Sequence, residues 1–323
     1  MRIRKVALAF AASTMALTLP VQAQSEAPQV FERSGNWTAD FGEDYCRLLR
    51  TFRSGDDEIT LAFERIQPGP MMRMLIVGDD FRPYRGADRL SYRFEPREAV
   101  PPFELSTDFA SSRTPDGERL TILSFISLGE APQFTQVFQQ RTNAGDQTTD
   151  AAGEPPQFPV YDPQAEQARA SGIRSLVFEE GLSRPIRFDT GAMGDVMGVL
   201  QTCTSDLVSS WGIDAERHAN LQRGAFPEPG PIIANTTIPF DQFARLTGNY
   251  NQVRVMVSKE GDPTSCHIHF PTLEEGVNER ICEQVMENAE FQPALDAEGQ
   301  PIASYWLVPV FVLFGAPESQ ASS

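Results

Sequence analysis

The chain has 323 residues, enough for one large or two modest domains, and its 41% hydrophobic and 22% charged composition is that of a globular protein. Lys and Arg number 27 against 44 Asp and Glu, a formal charge of -17. That excess excludes a nucleic-acid binder of the usual basic kind and argues against docking on anionic lipid.

Residues 1–23 read as a secretory signal peptide. Arg2, Arg4 and Lys5 form a positive start, Val6 to Leu19 a short apolar run, and Val21-Gln22-Ala23 a small-residue cleavage site. The apolar run is shorter than the ~20 residues a bilayer span requires. The expectation is a periplasmic protein with no stable membrane insertion after cleavage.

Residues 24–225 read as an α+β domain. Trp37 to Phe41, Cys46 to Phe52, Ile59 to Phe63, Met72 to Ile76, Leu90 to Phe94 and Leu120 to Leu128 alternate with period two between turn residues, which predicts an antiparallel sheet. Residues 139–164 are rich in Gln, Thr, Asp, Gly and Pro, and are expected to form a flexible excursion. Strands are expected to resume at Ile173 to Phe178 and Pro185 to Phe188. One long helix follows, with Met193, Val196, Met197, Leu200, Cys203, Leu207 and Trp211 along one face and Gly212 as its stop.

Phe226-Pro227-Glu228-Pro229-Gly230-Pro231 marks a boundary, and residues 226–237 read as a stiff linker. Beyond it, Val253 to Val257 and Cys266 to Phe270 alternate around a Lys259-Glu260-Gly261-Asp262 turn. Val277, Ile281, Val285 and Ala289 make a helix face, and the apolar stretch from Ile302 to Phe314 reads as a last strand. Residues 316–323 are expected to be a disordered tail.

The cysteines are Cys46, Cys203, Cys266 and Cys282, with no C-x-x-C motif. In an exported chain an even number implies bridges, and three pairings exist for four residues. Cys46–Cys203 and Cys266–Cys282 are expected because each then stays within one domain, and Cys282 lies beside a helix face that can reach a strand. No nucleophile elbow, zinc-protease helix, phosphate loop or dinucleotide fingerprint is present, so no catalytic residue and no cofactor are assigned. His267 and His269 share one strand face. Without an evident third ligand they read as part of a solvated surface, and no metal is assigned.

Phe291, Pro293, Ala294, Asp296, Gly299 and Pro301, set after a helix and before the last strand, resemble the C-terminal domain of TonB-family proteins over about residues 238–315. The resemblance implies a small antiparallel sheet with a helix across one face. It also implies a protein-interaction module that accepts a partner's peptide as an added strand. The implied partner is a protein or peptide of the cell envelope, often an outer-membrane transporter, and the implied process is energy-dependent transport. The receptive edge would be Ser304, Tyr305, Trp306, Leu307, Val308, Pro309 and Val310. Pro309 has no N–H and is expected to face the open side or to mark a bulge. The family's long Pro-rich rod is lacking, and Asp241-Gln242-Phe243 stands where its domain often opens with Tyr-Pro. An enzyme with its site in the N-terminal domain and a structural envelope protein are the alternative readings.

Overall fold

The computed structural model describes residues 27–100, 105–128, 161–228, 232–233 and 237–313. The expected signal peptide, most of the expected excursion and the expected tail lie outside them.

The N-terminal part mixes strands and helices, but its sheet closes on itself. Strands β1 (Gln29–Phe41), β2 (Cys46–Ser54), β3 (Asp57–Arg65), β4 (Met72–Val77), β5 (Arg89–Glu95), β6 (Leu105–Arg113), β7 (Arg119–Ile126), β8 (Ser175–Glu180) and β9 (Ile186–Phe188) form a barrel in the order β1-β2-β3-β4-β7-β6-β5-β8-β9. This corrects the expected open antiparallel sheet. Closure comes from β1, whose first residues Gln29, Val30 and Phe31 pair in parallel with Ile186, Arg187 and Phe188. Its later residues pair antiparallel with β2, across an irregularity between Ser34 and Thr38.

Alternation fixes what fills the barrel. Phe31, Phe52, Ile59, Leu61, Phe63, Met74, Ile76, Leu90, Phe178 and Phe188 are fully buried and belong to one cluster. Phe178 meets both Phe81 and Phe188 edge-on, with ring centroids 5.0 and 6.2 Å apart. A core of interlocked aromatic rings is a packed interior rather than a ligand chamber.

Helices α1 (Pro163–Gly172) and α2 (Gly194–Ser210) pack against each other and add Ala170, Met193, Met197, Leu200, Cys203 and Leu207 to that cluster. Helix α2 is the long helix read from the sequence, and Gly212 follows it with φ of 81°. Helix α1 is not among the expected elements, and its first residues fall in the expected excursion. Asp162 caps it by accepting from the N–H groups of Gln164 and Ala165 at 2.9 and 3.0 Å, with Pro163 in the first turn. The two helices touch closely at Gly194, where a Cβ would collide with the Ser171 side chain. Cys203 of α2 is bonded to Cys46 at the start of β2, with Cα atoms 5.9 Å apart.

The C-terminal part is a separate small sheet with its own core. Strands β11 (Gln252–Val257), β12 (Pro263–His269) and β16 (Ser304–Pro309) lie in the order β12-β11-β16. The short helix α3 (Ala215–His218) and strand β10 (Phe226–Pro227) precede them. Helix α4 (Glu275–Asn288) covers one face through Val277, Ile281 and Val285, which join Val253, Val255 and Val257 in one cluster. Cys282 of α4 is bonded to Cys266 of β12, with Cα atoms 5.5 Å apart. Between helix and last strand come β13 (Phe291–Gln292), β14 (Ala294–Leu295) and β15 (Pro301–Ile302). The Asp296-to-Gly299 turn is closed by a Gly299 N–H to Asp296 carbonyl bond of 3.0 Å.

Two sequence expectations need correction here. The start of the expected linker is part of the fold, because Phe226 and Pro227 of β10 pair with Gln292 and Phe291 of β13. A proline is tolerated there because β10 lies at the edge of its two-stranded sheet. The last strand ends at Pro309, and Val310–Leu313 form a short helix, α5. Apolarity on both faces identified a buried segment but could not tell strand from helix at its end.

Candidate functional site

The residues read as a strand-addition edge fall on β16, except Val310, which begins α5. Strand β16 pairs with β11 from Ser304–Val257 to Pro309–Gln252. Its other side has no strand neighbour among the described residues. The Val310 N–H donates to the Asn251 carbonyl at 2.8 Å. In an antiparallel ladder the backbone groups alternate sides, so Ser304, Trp306 and Val308 face β11 while Tyr305, Leu307 and Pro309 face outward. The open side therefore presents the N–H groups of Tyr305 and Leu307, and at Pro309 a carbonyl but no donor.

Both faces of β16 are occupied. Trp306 lies on the helix side, its ring 5.5 Å from that of Phe291. Tyr305 lies on the opposite face, buried against Val208 and Ile213. Its ring stacks on His218 at 5.0 Å and meets Trp211 edge-on at 5.0 Å. Burial raises its phenol pKa. His218 Nε2 sits 2.8 Å from the hydroxyl of the buried Ser304. Burial lowers the His218 pKa to about 4, so the imidazole is neutral at physiological pH.

The barrel and the C-terminal sheet meet along this second face. Tyr250 packs on the barrel's outer wall against the cluster of Ala62, Leu75 and Ile122. Glu64 is buried between Arg47 and Arg73, and Arg73 lies over the rings of Tyr250 and Phe270 at 5.0 and 4.4 Å. The Arg254 guanidinium stacks on Trp211 at 4.0 Å.

His267 and His269 are on this face; His267 is exposed as expected, whereas the burial of His269 corrects the expected solvated surface at that residue. His269 is completely buried, and its ring lies 5.9 Å from Trp211. Asp44, in the turn between β1 and β2, comes between the two imidazoles. Its Oδ2 is 2.8 Å from His267 Nε2 and its Oδ1 is 3.3 Å from His269 Nδ1. The second contact is misaligned for a hydrogen bond, so neither ring nitrogen of His269 has a well-aligned hydrogen bond. Burial holds the His269 pKa down to about 4, outweighing the Asp44 charge. Burial pushes the Asp44 pKa up, but the His267 hydrogen bond and neighbouring positive charge carry it below its ordinary value. Sequence reasoning found the histidine pair and missed Asp44, which is more than two hundred residues away and carries no local signal.

Comparison with protein families, with curated proteins and with solved structures finds no match to this chain. No helix among the described residues is long and apolar enough to cross a membrane.

Proposed function

We propose that the C-terminal unit is a protein-interaction module that takes an extended peptide of a cell-envelope partner beside β16, as TonB-family domains do. The observation that carries this reading is the outer side of β16, which has no strand neighbour among the described residues. Helix α4 covers one face of the sheet and the barrel and α2 cover the other. New backbone hydrogen bonds can then form at a sheet edge, β16 or the opposite edge β12, without unpacking a face, and the resemblance favours β16. Pro309 ends the run of outward donors, so the added strand is short and aligned with Ser304 to Val308. The partner is read as the periplasmic peptide of an outer-membrane transporter, and the process as energy-dependent transport. Residues 1–23 are read as an export signal. N-terminal sequencing of the protein from the soluble envelope fraction should begin at Gln24, and recovery of Met1 would refute export by cleavage.

The edge is tested with a fluorescent TonB-box peptide and two variants. Leu307→Pro removes an outward N–H and leaves the bonds to β11 untouched, so peptide binding should be lost in a protein that still folds. Ile268→Pro makes the matching change on the outer side of β12, the opposite edge, and binding should persist. Loss in Ile268→Pro with retention in Leu307→Pro would move the site to β12, and unchanged binding in both would reject strand addition.

A further inference from the structure

Asp44, His267 and His269 place their ligand atoms within 4.8 Å of one another. Two imidazoles and one carboxylate are a recurring donor set for divalent transition ions, with zinc taking three protein ligands and leaving a fourth position open. Strand geometry supplies the pair, since positions 267 and 269 of β12 project to the same face. The carboxylate comes from the other unit, on a turn followed within two residues by the Cys46–Cys203 bridge. The turn is therefore anchored rather than loose.

The second observation is His269. A completely buried imidazole with no well-aligned hydrogen bond at either nitrogen, only a weak approach to the Asp44 backbone, is a costly arrangement, because such groups are normally partnered. Its Nδ1 faces Asp44 without a usable hydrogen-bond angle. A metal ion between the three side chains would satisfy that nitrogen. His267 is 45% exposed and Asp44 21%, so the cluster opens to solvent on the His267 side and an ion has a way in. Ligand atoms around tetrahedral zinc stand roughly 3.4 Å apart at bonds of ~2.05 Å. The contacts of 2.8 and 3.3 Å already approach that spacing, and the exposed His267 is free to adjust.

We infer that Asp44, His267 and His269 form a binding site for one zinc-class divalent ion, bridging the barrel turn and the C-terminal sheet. Asp44 supplies the charge and the two imidazoles bind as neutral ligands. Arg254 is on the same face but makes no ion pair with Asp44, since its guanidinium is drawn over the Trp211 ring. Its positive charge opposes the ion and makes the site weaker than one lined only by neutral and acidic groups. Solvent or a partner's donor group completes the coordination. This inference is independent of peptide binding at β16.

The test uses untagged, chelator-stripped protein titrated with zinc chloride by calorimetry, alongside His267→Ala, Asp44→Asn and Glu43→Gln. His267 is half exposed and Asp44→Asn is nearly isosteric, so both variants should fold, which their melting curves check. The protein should bind one zinc per chain. His267→Ala and Asp44→Asn should each weaken binding by more than the ~10–100-fold carried by outer-shell partners. Glu43→Gln, a neighbouring exposed carboxylate, should bind as the parent does. Zinc should raise the melting temperature of the parent but not of His267→Ala. Absence of saturable one-to-one binding, or parent-like affinity in His267→Ala or Asp44→Asn, would overturn the site and leave an Asp–His contact without metal.

Discussion

Arg65 has a completely buried side chain, at the end of a barrel strand. It is held by Glu166 of α1 through both guanidinium Nη atoms, and Tyr161 and Gln201 complete the carboxylate's partners. Burial pushes the Glu166 carboxyl up, but the Arg65 charge and these hydrogen bonds outweigh it, and the net pKa lies below the ordinary 4.5. A carboxylate depressed in the folded state contributes stability that is present above its unfolded value and is lost as pH falls through the folded one. Glu166→Gln strands Arg65 without its counter-charge, and breaking a buried pair in this way costs about 3–5 kcal/mol. Denaturant unfolding at neutral pH should show that loss. As pH falls below about 4, the parent should lose more stability than Glu166→Gln and the gap should narrow. A gap that stays constant into acid would mean that the ion pair does not hold α1 to the barrel.

Elements differ in how much of them the sequence carries. Helix α2 was legible because Met193, Met197, Leu200, Cys203 and Leu207 repeat along one face and Gly212 stops it. Helix α1 was not, because Pro163–Gly172 contains no large apolar side chain and its stability comes from the Asp162 cap, the Arg65 contact and close packing on Gly194. Eight of the nine strands of the N-terminal part could be located one by one, whereas β6 (Leu105–Arg113), rich in Ser, Thr and Asp, gives no clear apolar alternation. Nothing in their periodicity says that β1 returns to pair with β9, since closure depends on a parallel pairing remote in sequence. The helix and hairpin of the C-terminal unit were read nearly to their ends, helped by Gly261 and by apolar positions four apart. The apolar stretch from Ile302 to Phe314 predicts a longer last strand than β16, which spans only Ser304–Pro309. Of the candidate sites, the β16 edge was named from the resemblance, whereas the Asp44 cluster depends on two units meeting and has no signature in either.

At the scale of the whole molecule, the barrel gives the C-terminal sheet its second cover. Without Trp211, Tyr250 and the outer wall of β3 and β4, the face bearing Arg254, His269 and Tyr305 would be exposed. With both faces covered, strand addition has a single geometry at β16, which makes the account testable one amide at a time. Ser304, Trp306 and Val308 face β11 in the ladder, whereas Tyr305 and Leu307 turn their N–H groups outward. The measurement that tests this most directly is amide hydrogen exchange of the intact protein with and without a TonB-box peptide. The account predicts that saturation with peptide slows exchange at Tyr305 and Leu307 and changes little at Trp306 and Val308. Slowed exchange at Ile268 instead, or no change at either outward amide under saturating peptide, would contradict it.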